Sequence, residues 1–289
     1  MRILHLSDTH LAKDGAWHYD KVDTVARLGD VLAAVPADFR ADVVVVSGDV
    51  SNDDSPESYD LAGRLVGEYA AGLGVPVVWA PGNHDNNPHY DRLHRPEAGH
   101  FARGLVDVAG GVVAVADTRT PRRGHGSMPV GFGELLRELA AVPGHRVIVQ
   151  HHPPLAAPTP LHHALRLRGH EEWSDRVSQA GVAAVLCGHY HLKRLGRWGT
   201  GHGETVPVVV APAITNETVA DHDEPGAELA VARHGAALVD TAEVSATRFV
   251  QVGADEPELV LRISAEKVRV VAEMAGAADE PGGGLPDGG

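Results

Sequence analysis

VVVVSGD, residues 43–49, is the stretch whose reading decides the fold. Four consecutive β-branched residues followed by Ser-Gly-Asp read as a strand buried on both faces that ends at a carboxylate. In open α/β sheets, ligands collect beyond the carboxyl ends of the strands, which is where Asp49 falls. Gly48 lets the chain bend sharply just before it. A single Asp at a strand end is more often a turn former or a helix cap. Four other strands of this chain end the same way, in Asp, Asn or His. They are RILHLSD at 2–8, the run 75–80 into Pro81-Gly82-Asn83-His84-Asp85, the run 146–150 into His151-His152-Pro153-Pro154, and the run 183–187 into Gly188-His189-Tyr190-His191.

Outward from 43–49, residues 21–35 carry Val22, Val25, Leu28, Val31 and Leu32 at helical spacing, and 58–73 repeat the pattern with Leu61, Leu65, Val66 and Tyr69. Strand, helix, strand, helix, strand in that order predicts a parallel sheet built through crossovers. His5, inside the first strand, reads as a packed core residue. Residues 86–103 are polar and rich in histidine and read as a loop with a short helix. Residues 112–117 give a further strand, and 134–141 and 172–180 give helices. A mobile loop over the strand ends is expected at 155–169. Strands at 206–210, 236–240 and 247–252 have short connections, which predicts a second, more antiparallel sheet. Residues 258–274 read as a strand and then a short helix. DEPGGGLPDGG, 279–289, has no core-forming run and predicts a disordered tail. The expected division is a main domain over 1–253, an extension packed on it over 254–278, and the tail.

A chain of 289 residues can bury a full core. Its net charge of −14 argues against broad nucleic-acid or anionic-membrane binding. That charge does not exclude a phosphate substrate, because bound divalent cations would dominate the local field. Cys187 is the only cysteine, so no disulfide framework and no Cys-based metal site exists, and Cys187 itself reads as a small core residue. The first strand begins at Arg2 without a leader and no apolar run is long enough to span a bilayer, so the expected location is cytoplasmic.

The strand ends carry donor chemistry. Asp8 and His10, one residue apart, can reach one ion with a hard oxygen and a borderline nitrogen, a mix suited to Mn, Fe, Co or Zn. Asn83 offers a neutral oxygen, His84 an imidazole able to give a proton, and Asp85 a carboxylate to orient it. Proline stiffens the turn after His151-His152, with His151 read as the ligand and His152 as its support. His189 and His191 stand two residues apart and face a common site. Each piece has a bland alternative, such as a turn Asp beside an incidental His. In sequence they read Asp-x-His, Gly-Asp, Gly-Asn-His-Asp, His-x-Pro-Pro and Gly-His-x-His, each after an apolar strand. This set resembles the calcineurin-like metallophosphoesterases over residues 8–191.

The resemblance implies a four-layer αββα sandwich, two mixed β-sheets flanked by helices, with a site for two divalent ions at the sheet edge and a metallophosphoesterase catalytic domain over 1–253. One ion would take Asp8, His10, Asp49 and His191, and the other Asp49, Asn83, His151 and His189, so that Asp49 bridges. Asp49, Asn83 and His84 are then the catalytic residues, and His84 assists the leaving group. Two ions roughly 3.5–4 Å apart can hold a bridging hydroxide for in-line attack on a phosphodiester. LSDTHL at 6–11, ESYDLA at 57–62, HHPP at 151–154, GHYH at 188–191 and APAIT at 211–215 resemble the class III cyclic-nucleotide phosphodiesterase branch, which makes cyclic AMP or another cyclic nucleotide the expected substrate. A broad phosphodiesterase or phosphomonoesterase, acting for example on glycerophosphodiesters, is the alternative, and a non-catalytic scaffold of the same fold stands behind it. A nuclease is disfavoured by the acidic balance. Mn, Fe, Zn and Co are left open as the metals, as is homo-oligomerisation. Trp17 and His18 read equally well as a stacking pair for a base or as a surface loop.

Overall fold

The computed structural model describes residues 1–85, 89–93, 100–101, 104–199 and 204–275. The expected tail at 279–289 and most of the polar loop at 86–103 lie outside them.

Val43–Val46 are fully buried because β2 (Val43–Ser47) stands between a helix layer and a second sheet. Alternation divides the run. Val44 and Val46 face α1 (Thr24–Ala34) and α2 (Pro56–Leu73), packing with Leu28, Val31, Tyr59 and Val66. Val43 and Val45 face the other way, into a core shared with Val113, Val147, Val149, Ala184 and Leu186 of the second sheet. The helices begin where the caps are. The Asp23 carboxylate accepts from the Ala26 amide at 2.9 Å, and the Ser55 hydroxyl accepts from Ser58 at 3.2 Å ahead of Pro56.

In the first sheet, β1 (Arg2–Leu6), β2, β3 (Val77–Ala80) and β4 (His100–Phe101) run parallel, as the strand–helix rhythm predicts. β15 (His234–Asp240) lies antiparallel on the other side of β1, and β16 (Arg248–Val252) forms the edge. In the second sheet, β6 (Gly111–Val115), β8 (His145–Val149), β10 (Val182–Cys187) and β12 (Val206–Val210) are parallel. Antiparallel edges close it, β5 (Gly104–Val108) at one side and β11 (Arg194–Trp198) at the other. Its outer face is covered by α3 (Phe132–Ala141) and α5 (Ser174–Gln179). The order of layers is therefore helix, sheet, sheet, helix.

Two readings change. The strands at 206–210, 236–240 and 247–252 do not build one antiparallel sheet: β12 joins the second, and β15 and β16 return to the first. Six successive buried residues in β15 need cover on both faces, and an interior place beside β1 supplies it. The 155–169 segment is not a plain loop. It folds into α4 (Pro160–Ala164), capped by the Thr159 hydroxyl, and β9 (Leu167–Arg168), which pairs with β7 (Gly126–Ser127). One helical turn is too short to show a period in sequence. A third sheet joins β13 (Glu217–Ala220), β14 (Glu228–Val231) and β17 (Leu259–Ile263), and α6 (Ala265–Met274) follows it, in the strand-then-helix order expected of 258–274.

Candidate metal centre

β1, β2, β8 and β10 all stop at one edge, and there the backbone turns hard. Asp8 (φ 52°), His10 (40°), Asp49 (48°), His189 (70°) and His191 (48°) all occupy the left-handed region. Asp and His tolerate it better than most residues, yet five such residues at one point mean that the surroundings enforce it. The loops are laced together. Asp8 N–H donates to the Gly48 carbonyl and His10 N–H to that of Asp49, each at 3.0 Å. Gly188 permits the closest approach: a Cβ there would lie 1.8 Å from Ser7 Oγ and 2.5 Å from Asp8 Oδ2. Gly188→Ala is accordingly expected to cost about 1–3 kcal/mol of stability, read by chemical denaturation. An unchanged midpoint would show that the loop relaxes freely.

The structure brings the sequence-predicted residues to one place in two groups. In the first, Asp8 Oδ1 lies 3.3 Å from His191 Nε2, with His10 in the same cluster. In the second, His189 Nδ1 lies 3.1 Å from His151 Nε2. Asp49 stands between them, its Oδ2 3.6 Å from His10 Nε2 and 3.3 Å from His151 Nε2. Asn83 and His84 line the same cavity, and the His84 amide donates to Asp49 Oδ1 at 2.8 Å.

Hydrogen bonds fix which ring atoms remain as lone pairs. His151 Nδ1 gives its proton to the Ser47 carbonyl at 2.8 Å, and His189 Nε2 gives its own to the Leu165 carbonyl at 2.9 Å. Nε2 of His151 and Nδ1 of His189 then face each other. His152 differs: Nδ1 meets the Thr118 hydroxyl at 2.8 Å and Nε2 the Gly124 carbonyl at 3.2 Å, so both nitrogens are engaged elsewhere. The Asp85 carboxylate does not fill the role expected of it beside His84. It accepts from the amides of Gly82 at 2.8 Å and of Val50 and Ser51 at 3.1 Å, which ties the Asp49 loop to the Asn83 loop. His5 is a core residue as read, its Nε2 2.9 Å from Ser47 Oγ.

The electrostatics suit a cation. Burial holds the His10 and His189 imidazoles neutral, well below their ordinary pKa. Burial also opposes charge on His151, but the Asp49 carboxylate outweighs it and lifts that pKa to about 9, so a cation taking Nε2 as a ligand displaces a proton from it. Burial opposes the Asp49 charge too, and His151 with its neighbours overcomes this, holding Asp49 well below the carboxylate range. Both ring nitrogens of His10, and Asn83 Oδ1, are buried with no hydrogen-bond partner among the described residues. Orphaned buried acceptors beside two buried carboxylates are the pattern that a bound cation resolves. The residues present fit divalent ions.

The cavity beside this centre, about 230 Å³, is walled partly by the 155–169 segment expected over the strand ends and partly by residues the sequence reading missed. Leu161, His162 and Leu165 come from α4 and its cap, and Asn216, Thr218, Ala230 and Ile263 from the C-terminal sheet and its approach. No local motif marks them. His18 is buried against His10, with ring centroids 4.8 Å apart, and its Nδ1 meets Asn52 Oδ1 at 2.7 Å, whereas Trp17 is exposed.

Two face-to-face mixed sheets between helices, with Asp, Asn and His gathered at their common edge, define the metallophosphoesterase fold. Residues 1–193 match the model of the calcineurin-like phosphoesterase family, and the chain belongs to that family. It is 31% identical over 194 residues to a probable cyclic nucleotide phosphodiesterase of Rhodococcus erythropolis, a match covering 65% of this chain and 64% of that one. It is also 31% identical over 194 residues to a cAMP/cGMP dual specificity phosphodiesterase of Mycobacterium tuberculosis, covering 65% and 61%. The match thus spans less than two thirds of either relative. One solved crystal structure superimposes over 86% of this chain and 98% of its own, with a TM-score of 0.50 at 14% identity, a likeness of fold alone. Among the described residues no helix is long and apolar enough to cross a membrane.

Proposed function

We propose that this chain is a metal-dependent phosphodiesterase that hydrolyses a cyclic nucleotide, with cyclic AMP among its substrates. The observation that carries the metal part is the convergence of seven donors on one edge, with the acceptors of His10 and Asn83 buried and unpartnered among the described residues. The substrate part rests on the cyclic-nucleotide relatives. The catalytic unit is residues 1–253, with the following segment packed on it.

Asp8, His10, Asp49 and His191 would hold one ion, and Asp49, Asn83, His151 and His189 the other. When bound there, divalent ions supply Lewis acidity toward water and toward a phosphoryl oxygen. The chain's own residues do the rest. Asp49 holds the shared negative charge between the two groups and fixes the His84 backbone through Oδ1. His84, exposed at the cavity, gives a proton to the departing oxygen. The α4 wall and the C-terminal sheet confine the esterified alcohol in a narrow groove.

The test is an assay against cyclic AMP, cyclic GMP, glycerophosphodiesters, bis-p-nitrophenyl phosphate and p-nitrophenyl phosphate. Activity should vanish on chelation and return with Mn, and diesters should be cleaved in preference to the monoester. Full activity in a demonstrably metal-free sample would refute the metal reading. Preference for the monoester without turnover of cyclic AMP would move the assignment to a broad phosphoesterase.

A further inference from the structure

Helix α4 touches the segment carrying two of the donor histidines at both ends. From one end, His162 Nε2 meets the carbonyl of Tyr190, the residue between His189 and His191, at 3.0 Å. At the other, the capping carbonyl of Leu165 takes the proton of His189 Nε2 at 2.9 Å. A five-residue helix has little stability of its own. It is held from behind. Glu228 on β14 is completely buried, and its Oε1 accepts from the Leu161 amide at 3.2 Å and lies against the Thr159 hydroxyl. That hydroxyl also meets His162 Nδ1 at 2.7 Å. On its far side α4 packs through Ala164 on Ala272 of α6.

The protons in this chain of contacts run one way. His162, which burial keeps neutral with a pKa of about 4, has a single ring proton, and the Tyr190 carbonyl requires it on Nε2. The Thr159 hydroxyl accepts from the His162 amide and donates to Glu228 Oε1, so that it and the Leu161 amide both point into the buried carboxyl group. Burial raises the Glu228 pKa, and the Thr159 and Leu161 hydrogen bonds oppose that rise.

We propose that Glu228 is a positioning residue for the metal centre. Through Thr159 and α4 it fixes the Leu165 carbonyl that orients His189, and so it presents His189 Nδ1 as a ligand atom. The proposal rests on the two-ion reading above and adds to it a remote lever on one ion alone. Glu228 and Thr159 touch neither an ion nor the reacting atoms.

The experiment titrates metal-free protein with Mn and follows each ion by calorimetry and by the paramagnetic resonance of free Mn. The ring tautomer of His189 is read from its nitrogen shifts in the zinc-loaded protein. In Glu228→Ala one ion should weaken about 10–100-fold, the usual effect of losing a partner that orients a ligand, while the other keeps its affinity. Glu228→Gln, whose amide oxygen can still accept from Thr159 and from the Leu161 amide, should stay close to wild type. Thr159→Ala should reproduce the loss and Thr159→Ser should restore binding, which keeps the test sound should Glu228→Ala fold poorly. Equal weakening of both ions, or unchanged binding and tautomer in Glu228→Ala and Thr159→Ala, would overturn the proposal and leave the two-ion reading standing. A wild-type protein that binds no ion would overturn both.

Discussion

Asp49→Ala is expected to empty both metal positions and to lower turnover at least roughly 10³-fold, since metal assistance is worth several kcal/mol and each 1.4 kcal/mol is a factor of ten. The reason is position. Asp49 Oδ2 is the oxygen common to the two groups, 3.6 Å from His10 Nε2 and 3.3 Å from His151 Nε2. Without it two cations would face each other across neutral imidazoles, with the remaining charge, Asp8, on one side only. The substitution also frees the His84 amide from its acceptor. Asp49→Asn separates the two effects, because it keeps an oxygen for that amide and removes the charge. Metal analysis of both variants, with circular dichroism as a check of folding, is the measurement. Asp49→Asn should lose metal nearly as Asp49→Ala does. If it retains two ions and full turnover, the bridging charge is not what holds the centre together.

How much of this was legible in the sequence follows from the range of each signal. Val43–Val46 could be read as doubly buried because four β-branched residues in a row leave no polar face, and the four-layer arrangement supplies both covers. The donors could be read because each follows an apolar strand within a few residues, so that strand order alone brings Asp8, Asp49, Asn83, His151, His189 and His191 to one edge. The choice of His151 over His152 rested on Pro153. In the structure the His152 ring nitrogens meet Thr118 and Gly124, 34 and 28 residues away, while the ring stays in one compact cluster with His151 and His189. Asp85 was misread for a related reason: adjacency to His84 suggested a pair, but its partners Val50 and Ser51 come from another strand end. β15 was placed in the wrong sheet because a strand's pattern records how much of it is buried, not which neighbour buries it. The cavity walls were legible only where the 155–169 segment was expected over the strand ends. Leu165, Thr218 and Ile263 come from three distant segments, and ordinary apolar or hydroxyl side chains carry no mark of what they enclose.

His84→Ala is expected to leave metal content nearly unchanged and to lower turnover on a cyclic nucleotide by roughly 10²–10⁴-fold, the worth of one positioned acid–base group. The geometry makes this a demanding test, because His84 also lies with His10 and Asp49 in a cluster compact enough to hold an ion. Three features set it apart from the ligands. Its ring is exposed, whereas His10 and Asp49 are buried. It meets His10 edge-on, at 4.8 Å between ring centroids. Its tie to Asp49 runs through the backbone amide at 2.8 Å, so removing the imidazole leaves that hydrogen bond and the Asp49 carboxylate in place. A proton donor matters in proportion to the basicity of the group that departs. Ribose alkoxide is a poor leaving group and needs the proton early, while p-nitrophenolate leaves with little help. The loss should therefore be large for cyclic AMP and much smaller for bis-p-nitrophenyl phosphate. Rates on both substrates, with metal content measured on the same preparations, decide it. If His84→Ala sheds metal as Asp49→Ala does, His84 is a ligand. If it slows both substrates equally with metal retained, His84 binds the phosphoryl group and does not protonate the leaving oxygen.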